Sequence, residues 1–182
     1  MEVQKLELVV GDIKGNREIA YALLVAEQPY FVNQNVIEEE GKLTIESLLT
    51  DEYYSWDKLI TMIDEEKLRH LINIGQLFHA LQDSIYTYNL SPNNLVFSRN
   101  GNPLFVFRGV KGQVPPYDVV SLDEFTVNFK AMIVSLLDKK TSYEKLIEGQ
   151  SPFYKGKLFC ETIMKAENLD EIISLVPCVE HI

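Results

Sequence analysis

The sequence predicts an α+β protein: a small antiparallel sheet followed by a mainly helical region. Three observations carry this. From Val3 to about Glu46, short apolar runs alternate with polar residues between turn signals. From about Asp57 the apolar spacing changes to three and four. Three later segments open with helix-capping boxes. At 182 residues the chain has the length for one domain of ordinary size or two small lobes, enough to bury a real core.

In chain order, Leu6, Leu8 and Val10 alternate with polar residues as in a half-buried strand. Gly11-Asp12 and Gly15-Asn16 read as hairpin turns, and the apolar run Ile19 to Ala26 reads as a further strand, broken at Gln28-Pro29. The acidic turn Glu38-Glu39-Glu40-Gly41 leads into another short strand from Lys42 to Ile45. Leu71, Ile74, Phe78, Leu81 and Ile85 then share one helical stripe, so the spacing predicts a long helix running into Tyr88. Asp64, Glu65 and Glu66 crowd its first turn, where the helix dipole favours negative charge. Two strand-like pieces, Asn94 to Ser98 and Leu104 to Phe107, flank the turn Arg99-Asn100-Gly101-Asn102. Capping boxes at Ser121, Thr141 and Asn168 open three helices, and Gly149 suits the C-terminal end of the second. An amphipathic piece lies from about Phe159 to Lys165. The domain reading is a strand-rich lobe over 1–56 and a helical lobe over 57–182, together one domain.

The most informative stretch is Tyr88-Asn89-Leu90-Ser91-Pro92-Asn93-Asn94-Leu95-Val96-Phe97, followed by Leu104-Phe105-Val106-Phe107-Arg108-Gly109. It resembles the catalytic and metal-binding loops of a protein kinase with the chemical groups missing. In kinases a catalytic-loop Asp accepts the substrate hydroxyl's proton, an Asn five residues on holds Mg²⁺, and a second Asp opens the Asp-Phe-Gly triplet. Aligned on that frame, Asn94 matches the metal-binding Asn, the base position falls on Asn89, and the triplet reads Phe107-Arg108-Gly109. An amide cannot take the proton, and the triplet brings no carboxylate. The resemblance therefore implies a bilobal, kinase-like fold without phosphoryl transfer. Gly11 and Gly15 do not make a glycine-rich phosphate loop, and Ile19 to Val25, read as the strand for the phosphate-binding lysine, contains none. A lone Asn94 makes a poor Mg²⁺ site, and its expected role is hydrogen bonding to the loop backbone. Arg108 is expected to meet an acidic side chain, Asp118 or Glu124, and so lock the loop, with a solvated arginine after the strand as the alternative. Phe105 and Phe107 are expected to fill the pseudo-active cleft.

The segment from about Asn89 to Gly149 also resembles the cytoplasmic domain of the EssB/YukC family, membrane components of the type VII secretion system of Gram-positive bacteria. The matching text is Leu90-Ser91-Pro92-Asn93-Asn94-Leu95-Val96-Phe97, Arg99-Asn100-Gly101-Asn102-Pro103, Phe107-Arg108-Gly109-Val110-Lys111-Gly112, Pro115-Pro116-Tyr117, Phe129-Lys130-Ala131 and Leu146-Ile147-Glu148-Gly149. This covers about a third of the chain in one collinear order. The resemblance implies a pseudokinase-like scaffold whose partners are other secretion components and a second copy of itself. It implies no cofactor, and a full-length protein that continues into one membrane helix after this segment. Two readings compete: a nucleotide-binding or weakly active kinase relative, and an unrelated α+β binding domain.

Composition supports a globular protein, with 46% hydrophobic and 24% charged residues. Net charge is −10 and positive side chains are scattered, so the phosphate-neutralising surface that nucleic acid requires is missing. The same charge favours a basic partner face, reached faster at low salt. No apolar run reaches the length of a membrane span, and no signal peptide opens the chain. Cys160 and Cys178 read as reduced thiols, with a disulfide as the alternative. His70, His79 and His181 share no metal or catalytic spacing, and the first two read as surface or boundary residues. The acidic runs at 38–40 and 64–66 read as solvated faces. The aromatic cluster Tyr53-Tyr54-Ser55-Trp56 is a candidate for packing between lobes or for binding a partner.

Overall fold

The computed structural model describes residues 1–138, 142–149 and 158–176. In order along the chain these form β1 (Glu2–Val9), α1 (Arg17–Val25), β2 (Gln34–Glu39), β3 (Lys42–Leu49), β4 (Tyr54–Ser55), α2 (Trp56–Ile60), α3 (Asp64–Gly75), α4 (Leu77–Ala80), β5 (Tyr86–Thr87), β6 (Leu95–Phe97), β7 (Pro103–Phe105), β8 (Gly109–Val110), α5 (Leu122–Asp138), α6 (Tyr143–Ile147), α7 (Leu158–Lys165) and α8 (Leu169–Leu175). The chain gathers into two units that interleave along the sequence: Met1–Tyr54, Leu81–Asn89 and Asn94–Val120 in the first, and Ser55–Ala80, Leu90–Asn93 and Ser121–Ile182 in the second.

The first unit is built on an antiparallel sheet in the order β1-β3-β2. The β2–β3 turn places Glu40 at φ 49° and Gly41 at φ 79°, the paired left-handed residues of a tight hairpin. Alternate residues of β3 (Leu43, Ile45, Ser47 and Leu49) face the core. Val32, Leu49, Val96 and Val106 form one buried cluster, with Tyr53, Leu104 and Phe107 packed against it. The β6–β7 hairpin pairs Leu95 with Phe105 and Phe97 with Pro103, around the turn expected at 99–102. A second antiparallel pair, β5 with β8, sets Thr87 beside Gly109, and no sequence signal announces it.

Two N-terminal expectations are corrected. The run Ile19 to Ala26 is not a strand but lies largely within helix α1. Asn16 caps it, its side-chain oxygen accepting from the Ile19 N–H at 3.1 Å, and Ala20 and Leu24 are buried four residues apart. Alanine and leucine are strong helix formers, and Gly15-Asn16 is a helix start, not a hairpin. Gly11 likewise lies in a short 3-10 turn after β1. The lack of a lysine in 19–25 is thus an absence from a helix, and it carries no weight on phosphate binding.

The second unit is helical. α5 touches α3, α6, α7 and α8, and buries Phe125, Phe129, Met132, Ile133 and Leu136. The long helix expected to reach Tyr88 is instead broken: α3 ends at Gly75, α4 ends at Ala80, and Ile85 is 49% exposed beyond both. Gly75 lies against Phe129, where an added Cβ would come within 2.9 Å of the ring. Two caps hold where expected, and that of α6 falls one residue later, on Ser142. Ser121 accepts from Glu124 N–H at 3.1 Å, and Asn168 from Glu171 N–H at 2.9 Å. Ser142 caps α6, and Thr141 lies outside the described residues. Gly149 follows α6 at φ 92°, its N–H donating to Leu146. His70 corrects the expectation of a surface or boundary residue: it is 1% exposed, its Nδ1 lying 2.6 Å from the Glu66 carbonyl oxygen. His79 is exposed, 3.5 Å from Asp170, and His181 lies outside the described residues. Cys160 is buried, and Cys178 is outside the described residues.

Candidate functional site

The candidate site is the segment from Asn89 to Gly109, all but 90–93 of which belong to the first unit. Pro92–Asn94 form a 3-10 turn that delivers Asn94 to the start of β6. Its amide is engaged at both ends. Nδ2 donates to the Asn89 carbonyl at 3.0 Å and the Phe107 carbonyl at 3.2 Å, while Oδ1 accepts from the Phe107 N–H at 2.8 Å. The Asn94 carbonyl also accepts from Val106 N–H at 2.9 Å. This is the backbone-binding role expected for Asn94. Asn89 contributes a carbonyl oxygen to it and keeps its own side chain exposed.

Arg108 is the least expected part of the site. It is 2% exposed, and none of its hydrogen bonds goes to Asp118 or Glu124. Its Nη2 donates to the carbonyls of Leu23 (3.3 Å), Leu24 (2.6 Å) and Ala26 (2.5 Å) at the C-terminal end of α1. Those carbonyls have no later turn of helix to bond, and they carry the negative end of the helix dipole. The guanidinium carbon lies 4.7 Å from the Tyr86 ring centre and 5.4 Å from that of Phe31, so aromatic faces supply further cation–π attraction. Tyr86 joins the same arrangement by donating its hydroxyl to Leu23 at 2.8 Å. Among the described residues, Nε and Nη1 of Arg108 have no hydrogen-bond partner. Burial lowers the Arg108 pKa from its ordinary value, with Tyr86 acting the other way, and burial raises that of Tyr86. The expected carboxylate partner is thus replaced by helix carbonyls. The missed partners trace to one error: with 19–26 read as a strand, no helix end was available for Arg108 to cap.

Gly109 follows in β8. A Cβ there would lie 2.4 Å from Thr87 Oγ1 and 2.6 Å from the carbonyl oxygens of Val114 and Pro115. Phe105 is fully buried and stacks on Tyr88 with ring centres 4.2 Å apart, and Phe107 is half-buried against the valine cluster. Among the described residues no group of three or more His, Cys, Asp or Glu is placed to hold a metal ion.

The aromatic residues singled out at 53–56 are occupied with packing. Tyr54 stacks on Phe97 at 5.6 Å, Tyr53 packs against the valine cluster, and Trp56 is 7% exposed. In the second unit Trp56, Ile60, Asn93, Tyr143 and Lys145 help line an open groove of about 430 Å³. Tyr143 donates its hydroxyl to the Leu90 carbonyl at 2.9 Å. Burial, then the charges of Glu144 and Glu124, push its pKa up to about 12.

Comparison with known proteins places this arrangement. Residues 9–178 match the family described as WXG100 protein secretion system (Wss), protein YukC. Proteins called type VII secretion system protein EssB, from Staphylococcus aureus strains USA300 and Newman, are 32% identical over 164 residues, 90% of this chain. The chain spans 36% of the length of these relatives. Among solved structures, the cytoplasmic fragment of Staphylococcus aureus EssB superposes with a TM-score of 0.86 at 28% identity, covering 95% of this chain and 97% of that one. The cytoplasmic fragment of Geobacillus thermodenitrificans EssB superposes with a TM-score of 0.79 at 14% identity, covering 96% and 82% respectively, and speaks for the fold alone. On the match over residues 9–178, the chain belongs to the YukC family of the WXG100 protein secretion system.

Proposed function

We propose that this chain is a non-catalytic scaffold of the type VII secretion apparatus, kinase-like and bilobal in fold. On this reading it is the cytoplasmic part of a single-pass membrane protein anchored C-terminal to this segment, and its partners are other secretion components. The observation that carries the proposal is the state of Asn94. The residue that the kinase frame assigns to metal has both ends of its amide bound to loop backbone. Recruiting its oxygen for Mg²⁺ would break the bond from Phe107 N–H, and a lone neutral amide offers the ion little in return. Arg108, at the centre of the triplet, is directed into the end of α1. Asn89 supplies no base.

Ligands that bind only the folded state raise the melting temperature by mass action. Thermal unfolding with and without ATP and Mg²⁺ therefore tests the proposal. Coincident melting curves are expected. Stabilisation that depends on Mg²⁺ and vanishes in Asn94→Ala would overturn it in favour of a nucleotide-binding relative.

A further inference from the structure

β1 is an end strand of the β1-β3-β2 sheet, and among the described residues it pairs with β3 alone. The ladder fixes which of its backbone groups remain available. Val10 N–H donates to Gly41 at 2.9 Å, in the same register as the β1–β3 pairs, so the even-numbered residues of β1 point their N–H and C=O groups at β3. Leu48 N–H donates to Asn33 at 2.9 Å on the other side of β3, in agreement with that parity. Val3, Lys5, Glu7 and Val9 therefore direct their backbone groups outward, and all four side chains are exposed, Val3 by 38% and Val9 by 55%. The strand Glu-Val-Gln-Lys-Leu-Glu-Leu-Val runs eight residues without proline, glycine or a bulge. Natural sheets use proline and bulges to keep edges from pairing, and charged side chains too, of which this face carries one of each sign, Lys5 and Glu7.

We propose that β1 pairs antiparallel with β1 of a second copy of this chain, about a two-fold axis at Leu6, joining two three-stranded sheets into one of six. The occupant is identified by charge and register. Outward residues must meet outward residues, so a symmetric pairing centres on Lys5, Leu6 or Glu7 if most of the strand is to be used. A centre at Lys5 opposes two lysines, and a centre at Glu7 opposes two glutamates. Both are destabilising when directly opposite. A centre at Leu6 sets Lys5 against Glu7 twice and Val3 against Val9 twice. Lys5 already lies 3.2 Å from Glu46 across the sheet, so the second copy's Glu7 would flank it from the other side. An interface of one strand pair is small, which makes the association weak and reversible. It is independent of whether the loop binds nucleotide.

Sedimentation velocity from roughly 10 µM to roughly 1 mM protein spans the range in which so small an interface would fill. A monomer–dimer equilibrium is expected. Glu7→Lys and Lys5→Glu should each weaken it at least tenfold, because each opposes like charges. An equimolar mixture of the two variants should restore it, because they are complementary at both positions. Circular dichroism and melting temperature establish that each variant folds. A chain that stays monomeric throughout overturns the proposal, as does a dimer indifferent to both substitutions or a mixture no stronger than either variant alone. Should Lys5→Glu fail to fold because of Glu46, Glu7→Lys alone decides, and an unchanged association constant overturns the register.

Discussion

Arg108 costs the protein desolvation of a full charge, offset by three carbonyl acceptors and two aromatic faces. Removing it leaves those carbonyls without their buried donor. Arg108→Ala is expected to lower stability by about 3 kcal/mol in urea unfolding, since bonds to a charged group and the packed stem are lost together. An unchanged unfolding midpoint would show that the guanidinium does not hold the loop. Asn94 offers a sharper contrast. In Asn94→Asp the oxygen still accepts from Phe107 N–H, but two donors are replaced by a carboxylate facing two carbonyls. The cost should be about 2 kcal/mol and no smaller than in Asn94→Ala. Were the position a working metal site, the added carboxylate would be rescued by Mg²⁺, and urea titration with and without the ion distinguishes the two. Of this site, the backbone role of Asn94 was legible in sequence, because asparagine beside a turn commonly bonds nearby backbone. The partner of Arg108 was not, because a guanidinium near a strand names no acceptor until the helix it caps is recognised.

At the scale of elements, cations recur at helix C-termini. Arg108 caps α1, Lys130 donates to Met164 at 3.4 Å and to Ala166 at the end of α7, and the buried Lys67 lies 3.5 Å from the Leu136 carbonyl near the end of α5. Each places positive charge where the dipole favours it. Helix starts were readable because capping uses few residue types: Ser121 and Asn168 stand where their boxes put them. The same grammar was present at Asn16 and was outweighed by the apolar run behind it. Asn16→Ala should cost about 1 kcal/mol of stability, as the loss of an N-cap does, whereas a residue in a hairpin turn would show less. β5 and β8 are two residues each, too short to leave a periodic pattern, so their pairing was not legible. Its steric consequence is testable. Gly109→Ala forces a methyl against three oxygens, two of them backbone, and should lower stability by more than 2 kcal/mol or prevent folding. A melting temperature like that of the parent would contradict the packing of that pair.

For the whole molecule, the α+β class and the order of sheet then helices were legible, while the interleaving of segments 81–89 and 94–120 with the sheet unit was not. Local periodicity reports elements, but the grouping of distant segments depends on buried contacts such as Val32 with Val96 and Val106. Stability should also fall in alkali. The Tyr143 pKa is raised to about 12 by burial, so the folded state holds that proton more tightly than the unfolded chain. The contribution is complete below the unfolded phenol's pKa of about 10 and disappears as pH rises through the folded value. Tyr143→Phe should flatten this limb of a pH–stability curve, and an unchanged slope would remove Tyr143 as its source. The central claim, that amide and guanidinium groups stabilise the loop where a kinase would carry out phosphoryl transfer, is tested most directly by turnover. Purified protein incubated with ATP and Mg²⁺ should release no phosphate above the protein-free control. Magnesium-dependent hydrolysis or phosphorylation, abolished by replacing Asn89 or Asn94, would contradict it.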